Sequence, residues 1–286
     1  MIRRLASAVL LVGPLALAGC GSGSTSTATA TTATTGATST TPTRVGDSSP
    51  TTGAPVTTTT ATTTAKDPVV IGLGNSVPSG AACSCVNFVS AYAAMVGAGT
   101  NTKATVDNEA VSGSTSADVV NQLTRSAVQA QVRSATTVLI MTGANDFNDA
   151  FDQVSLGAPA TETYAPVATA VQDNVTAIVE KLHSLNSSAH VVVLDYWAAM
   201  EDGAVAAKDY DAPTMAASVA STTAVNDALA VAAKSTGAMY VSTYTAFKGP
   251  NGTNDPTALL APDGDHPDAA GHQLIARTIY GVLPNG

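Results

Sequence analysis

The stretch Val69-Val70-Ile71-Gly72-Leu73-Gly74-Asn75-Ser76-Val77-Pro78-Ser79-Gly80 decides how the rest of the chain is read. Its β-branched start favours an extended strand, and an unbroken apolar run is what a strand buried on both faces requires. Gly72, Gly74, Asn75, Ser76 and Pro78 then end the run in a turn. Open α/β sheets place their functional crevice beyond the carboxyl ends of their strands. Ser76 therefore stands where a side chain is free to act.

The same grammar repeats downstream. Strands are expected at Val69–Leu73, Ala104–Asn108, Thr137–Met141, His190–Leu194 and Ala238–Val241, and helices at Val86–Val96, Ser116–Arg133, Tyr164–Leu185, Thr214–Lys234 and Asp268–Leu283. In the last helix Leu274, Ile275, Ile279 and Val282 recur near the helical period. Alternation of this kind implies an α/β domain: a five-stranded, doubly wound parallel sheet between two helical layers.

The chain begins differently. Met1-Ile2-Arg3-Arg4 is a short basic region, and Leu5 to Ala18 is an apolar stretch too short to span a membrane, so residues 1–19 read as a secretory signal. Its end, Leu17-Ala18-Gly19-Cys20, resembles the lipobox of bacterial lipoproteins. That resemblance implies a mature chain starting at a lipidated Cys20 and held at the membrane by two acyl chains, since one anchors only marginally. The alternative is an ordinary leader with an unrelated cysteine. Residues 20–66 are rich in Thr, Ser, Ala, Gly and Pro and have little apolar surface to bury, so they read as a disordered tether, with a composition that also suits O-glycosylation. The remainder, residues 67–286, fits one domain. The expected location is extracytoplasmic, at the cell membrane in the cell envelope, with part of the protein secreted.

The chain has 12 Lys+Arg against 21 Asp+Glu, a formal charge of −9 that becomes −11 without Arg3 and Arg4. An acidic chain with 4% aromatic residues is a poor nucleic-acid binder, which leaves neutral or cationic partners. Besides Cys20 there are only Cys83 and Cys85. They could form a local disulfide, remain free thiols or pair between chains, and with no histidine near them in sequence they are too few ligands for a zinc site.

Three further blocks join Gly74-Asn75-Ser76. Asn108-Glu109-Ala110-Val111-Ser112-Gly113-Ser114 follows the second strand, Gly143-Ala144-Asn145-Asp146 follows the third, and Pro262-Asp263-Gly264-Asp265-His266-Pro267 lies near the C-terminus. Four blocks in this order, spanning Val69 to Leu283, resemble those of the SGNH hydrolases, or GDSL esterases and lipases. The resemblance implies a flavodoxin-like three-layer α/β/α fold with strand order 2-1-3-4-5, and ester hydrolysis without a cofactor or metal. It makes Ser76 the nucleophile, His266 the general base and Asp263 the group that orients the base. Ser76, Gly113 and Asn145 become the oxyanion-hole donors. Where that family usually carries Gly-Asp-Ser, this chain has Gly74-Asn75-Ser76, which keeps the oxygen acceptor and loses the charge.

The chemistry agrees with this assignment. A serine hydroxyl needs an adjacent base, and an acid three residues before His266 can reach the Nδ1 side of its ring and leave Nε2 for Ser76. Asp265 is the rival orienting acid. His183, at a helix end, and His190, at a strand start, read as structural or solvated. His272, inside the last helix, reads as partly buried or capping. Asp146 and Asp149 read as turn and helix-start residues. No G-x-S-x-G elbow, Walker loop or complete dinucleotide fingerprint is present.

The segments 147–163 and 196–213 are the expected walls of an acyl pocket, and Trp197 either lines it or packs in the core. The substrate could be a small-molecule, lipid or glycan ester handled by a monomer. The rival reading is a non-catalytic surface lipoprotein that uses the same cleft to bind a glycan or lipid.

Overall fold

The computed structural model describes residues 67–286. The expected signal, Cys20 and the tether lie outside the described residues. Strands β1 (Val69–Gly74), β2 (Thr105–Asn108), β3 (Thr137–Met141), β4 (His190–Leu194) and β5 (Met239–Val241) form one parallel sheet in the order β2-β1-β3-β4-β5. β1 is an interior strand: Val70 is in register with Val106 on one side and Thr137 on the other. The continuously apolar β3 is buried throughout, and β4 is buried after its first residue. The edge strands β2 and β5 keep partly exposed positions. That distribution is what helices on both faces of a sheet produce.

Ten α-helices follow one another along the described residues: α1 (Ser76–Ser79), α2 (Phe88–Thr100), α3 (Ser116–Gln122), α4 (Ser126–Ser134), α5 (Asn148–Ser155), α6 (Ala160–Leu185), α7 (Gly203–Asp209), α8 (Ala212–Thr236), α9 (Thr243–Lys248) and α10 (Ala269–Val282). α2, α9 and α10 pack as one layer, and α6 packs with α8, α3, α4 and α5 in the other. No helix among the described residues is long and apolar enough to cross a membrane.

Several helix starts follow from side-chain caps. Asn87, Asp211 and Asp268 each accept a backbone N–H of the first turn of the helix they precede. The single helix expected over Ser116–Arg133 is instead α3 and α4, broken at Leu123–Arg125. Side chains take up the carbonyls that the break releases: the Thr124 hydroxyl donates to Asn121 O at 2.7 Å and Gln129 Nε2 to Leu123 O at 2.9 Å. The two segments expected as pocket-wall loops contain α5 and α7, helices too short to announce themselves by periodicity.

α10 docks on the start of α2 through His272, which is fully buried and accepts the Phe88 N–H on Nδ1 at 3.3 Å. Burial pushes its pKa down to about 4, so the ring is neutral at physiological pH. Because the unfolded ring protonates at higher pH, the neutral folded form contributes stability that is present above about pH 6.5 and is lost as pH falls toward 4. Chemical denaturation followed from pH 7 to pH 4 is expected to show a steeper loss of stability in the wild type than in His272→Asn, whose side-chain oxygen replaces Nδ1 as acceptor without titrating.

Candidate active site

The turn after β1 is held by its neighbour β3. Gly74 adopts φ +134°, and a Cβ there would run into the Met141 carbonyl. Asn75 N donates to that same carbonyl at 3.1 Å. Asn75 is 2% exposed: its Oδ1 accepts Val77 N–H at 3.2 Å, and its Nδ2 donates to the Tyr196 hydroxyl at 2.8 Å. Ser76 then opens α1, so its N–H has no partner within that helix.

The loop after β2 is tied to this turn and to the next. Asn108 Nδ2 donates to Pro78 O at 2.8 Å, and Val111 N donates to Gly74 O at 2.9 Å. Gly113 has φ +84°, and a Cβ there would meet nothing within 4 Å, so glycine serves the backbone angle and crowding plays no part. Its N–H takes part in no hydrogen bond among the described residues.

After β3, the short 3₁₀ turn Ala144–Phe147 carries Asn145, whose Nδ2 donates to Ser114 O at 2.9 Å. The next residue, Asp146, accepts Ser116 N at 2.9 Å and Ser116 Oγ at 2.6 Å. Burial raises the Asp146 pKa, and the two bonds from Ser116 partly offset that. Asp146 is therefore more than a turn residue: it clamps the Gly113 loop to the Asn145 turn. Its spacing in the sequence carries no sign of a partner 30 residues away.

In the C-terminal block, His266 Nδ1 lies 2.8 Å from Asp263 Oδ2 and 3.6 Å from Asp265 Oδ2. Asp263 Oδ1 also accepts the backbone N–H groups of Asp265 and His266, both at 3.1 Å. Partial burial opposes ionisation of Asp263, but these bonds and the imidazole outweigh it and hold the carboxyl below its ordinary range. Asp265 is shifted the other way by burial. His266 Nε2 is buried and has no hydrogen-bond partner, so no Ser76–His266 bond is formed in this structure. Such bonds commonly tighten only when substrate binds.

Ser76, Asn145 and Asp265 line one cavity of about 20 Å³, together with Asn75, Tyr196 and Trp197. Gly113 and Asn145 line an adjoining open depression of about 610 Å³ with Asn148, Asp149, Pro166 and Val167. The first, third and fourth blocks thus meet at one cavity, and the second joins through Asn145. Trp197 serves both expected purposes, since it is 1% exposed, stacks on Phe247 at 4.3 Å and forms part of the Ser76 cavity wall. The residue that sequence reading passed over is Tyr196, whose hydroxyl contact with Asn75 spans 121 positions.

Cys83 and Cys85 are joined to each other, with Cα atoms 5.1 Å apart. The fold brings His272 to them: two sulfurs and one ring nitrogen lie within 4.8 Å of one another. The histidine missing from their sequence neighbourhood is therefore present in space. Sulfurs bonded to each other offer no thiolate, so the joined trio lacks the donors a metal needs.

The family model of the GDSL-like lipases and acylhydrolases matches residues 73–274. No curated protein matches the sequence. Among solved structures, a lipase from a goat rumen metagenome is similar at TM-score 0.60 and 15% identity, covering 75% of this chain and 96% of its own. An extracellular lipase from Streptomyces rimosus gives TM-score 0.57 and 20% identity, with 75% and 99% covered. An acetylxylan esterase from Geobacillus stearothermophilus gives 0.54 and 20%, with 75% and 93% covered. With the family model spanning most of the chain, over an all-parallel five-stranded sheet, the protein is an ester-hydrolysing enzyme that belongs to the GDSL-like lipase/acylhydrolase family.

Proposed function

We propose that the chain is an extracytoplasmic, lipid-anchored serine esterase that works through an acyl-Ser76 intermediate. The observation that supports this reading is the His266 ring held on Asp263 at 2.8 Å, next in the chain to the Asp265 that lines one cavity with Ser76 and Asn145.

In this mechanism His266 Nε2 takes the Ser76 proton as Oγ attacks the ester carbonyl, and Asp263, ionised and bonded to Nδ1, fixes the tautomer and stabilises the imidazolium. The charge that develops on the carbonyl oxygen is met by the N–H groups of Ser76 and Gly113 and by the Asn145 amide, each such donor typically contributing ~10²–10³ in turnover. His266 returns the proton to the departing alcohol. Water, deprotonated by the same ring, then releases the acid from Ser76.

Lipases and an acetylxylan esterase share the fold, so the fold does not choose a substrate. The cavities support a choice. About 20 Å³ beside Ser76 is little more than one water, which suits a short acyl group, and the half-polar depression of about 610 Å³ suits a polar substrate body better than an alkyl chain. The Leu17-Ala18-Gly19-Cys20 sequence supports the membrane anchor.

Ser76→Ala is expected to lower p-nitrophenyl acetate hydrolysis by the full chain at least ~10³-fold, with equal rates for the two proteins excluding Ser76 as nucleophile. Asp263→Asn is expected to lower kcat by roughly 10²–10⁴, whereas Asp265→Asn stays within a few-fold of wild type. The reverse ranking would make Asp265 the orienting acid. Across p-nitrophenyl esters from acetate to palmitate, kcat/KM is expected to fall with chain length, and acetylated oligosaccharides should be deacetylated. A maximum at palmitate would contradict the short-acyl assignment. Cys20→Ser is expected to move the protein from the detergent phase to the aqueous phase on Triton X-114 partition, and an unchanged distribution would remove the anchor.

A further inference from the structure

We propose that Tyr196 is a further catalytic residue, whose phenolic O–H donates a hydrogen bond to a substrate oxygen in the Ser76 cavity, and that asparagine at position 75 is what leaves this proton free. The inference rests on Ser76 being the nucleophile.

The argument is one of hydrogen-bond direction. Val77 N–H occupies Asn75 Oδ1, so the other end of the amide, Nδ2, must face the Tyr196 hydroxyl and must donate to it. That amide nitrogen is a donor only, so it does not take the tyrosine's proton. Tyr196 is 2% exposed and its hydroxyl donates to no acceptor among the described residues. Tyr196 lines the cavity that Ser76, Asn145 and Asp265 also line. A buried O–H without an acceptor is costly, and the open space beside Ser76 is where a substrate oxygen supplies one.

Burial drives the Tyr196 pKa far above the usual phenol range, and the nearby carboxylates of Asp146 and Asp265 add to the effect, so the hydroxyl keeps its proton at working pH. Position also matters. Tyr196 bonds to Asn75, the residue before Ser76, and lines one cavity with Ala144 and Asn145, so it sits between the nucleophile turn and the oxyanion turn.

Aspartate at position 75 would reverse this arrangement. A carboxylate only accepts, so with one oxygen on Val77 N–H the other would capture the Tyr196 proton and withdraw it from the cavity. The substitution keeps the size of the side chain and the oxygen that accepts the Val77 N–H. A purely structural tyrosine would tolerate it.

The test compares the full-chain wild type with Tyr196→Phe, Asn75→Asp and the double variant on p-nitrophenyl acetate, with thermal melting as the check on folding and Ser76→Ala as the control. Tyr196→Phe and Asn75→Asp are each expected to lower kcat by roughly 10² with little change in KM, and the double variant should be no worse than either. The ratio of Asn75→Asp to wild-type activity should rise as pH falls, because a protonated carboxyl donates to Tyr196 as asparagine does. Asn75→Asp at wild-type activity, or Tyr196→Phe with unchanged kcat, overturns the proposal while leaving Ser76 in place. If Tyr196→Phe does not fold, Asn75→Asp and its pH ratio decide alone. Loss of any difference between wild type and Ser76→Ala would instead defeat the esterase reading from which the proposal starts.

Discussion

Everything at the site depends on how closely the ends of β1 and β3 approach. The Met141 carbonyl occupies the space a side chain at position 74 would need, and it also accepts the Asn75 N–H at 3.1 Å. Only a residue without Cβ and tolerant of φ +134° lets the chain pass that point and turn straight into α1. Ser76 is therefore placed by backbone packing between two interior strands, the part of an α/β sheet least free to move. The turn that carries Asn145 leaves the same β3, whose last residue is Met141, so Ser76 and Asn145 inherit their spacing from a single strand pair.

Around that pair the loops are joined by polar contacts that cross between blocks. Asn108 reaches Pro78, Asn145 reaches Ser114, Asp146 holds Ser116, and Asn174 Nδ2 in turn donates to the Ser116 hydroxyl at 2.9 Å. In a partly buried setting each of these groups costs free energy if its partner is lost. The network therefore resists displacement of any one loop. The turns that follow β1, β2 and β3 are in this way tied to one another.

The acids of the C-terminal block illustrate how environment divides roles between similar groups. Asp263 gathers the His266 ring and two backbone N–H groups, and its carboxyl is driven toward the ionised form. Asp265, two residues on, lacks such donors, lies 3.6 Å from the ring nitrogen and is shifted in the opposite direction by burial. Carboxylates pushed apart in this way commonly serve different tasks. Here one holds the imidazole and the other forms part of the cavity wall beside Ser76.

Much of this was legible along the chain, because strands and turns are local. The apolar run at Val69 and the glycine-bearing turns after three strands depend on neighbours a few residues apart, and the local pattern exposes them. The α/β class, the strand positions to within a residue and the order of the four blocks follow from such local preferences. The break between α3 and α4 escaped because Leu123-Thr124-Arg125 contains no glycine or proline to mark it, and α5 and α7 escaped because seven or eight residues scarcely complete two turns. What only the tertiary structure decided are the contacts between residues far apart: Asn75 with Tyr196, Asp146 with Ser116, and His272 beside the Cys83–Cys85 pair. A one-dimensional pattern records which residues can donate, accept or ionise. Which of them meet, and in which direction each hydrogen bond runs, is settled by packing the sheet and its helices, where the burial of a polar group forces it to find a partner.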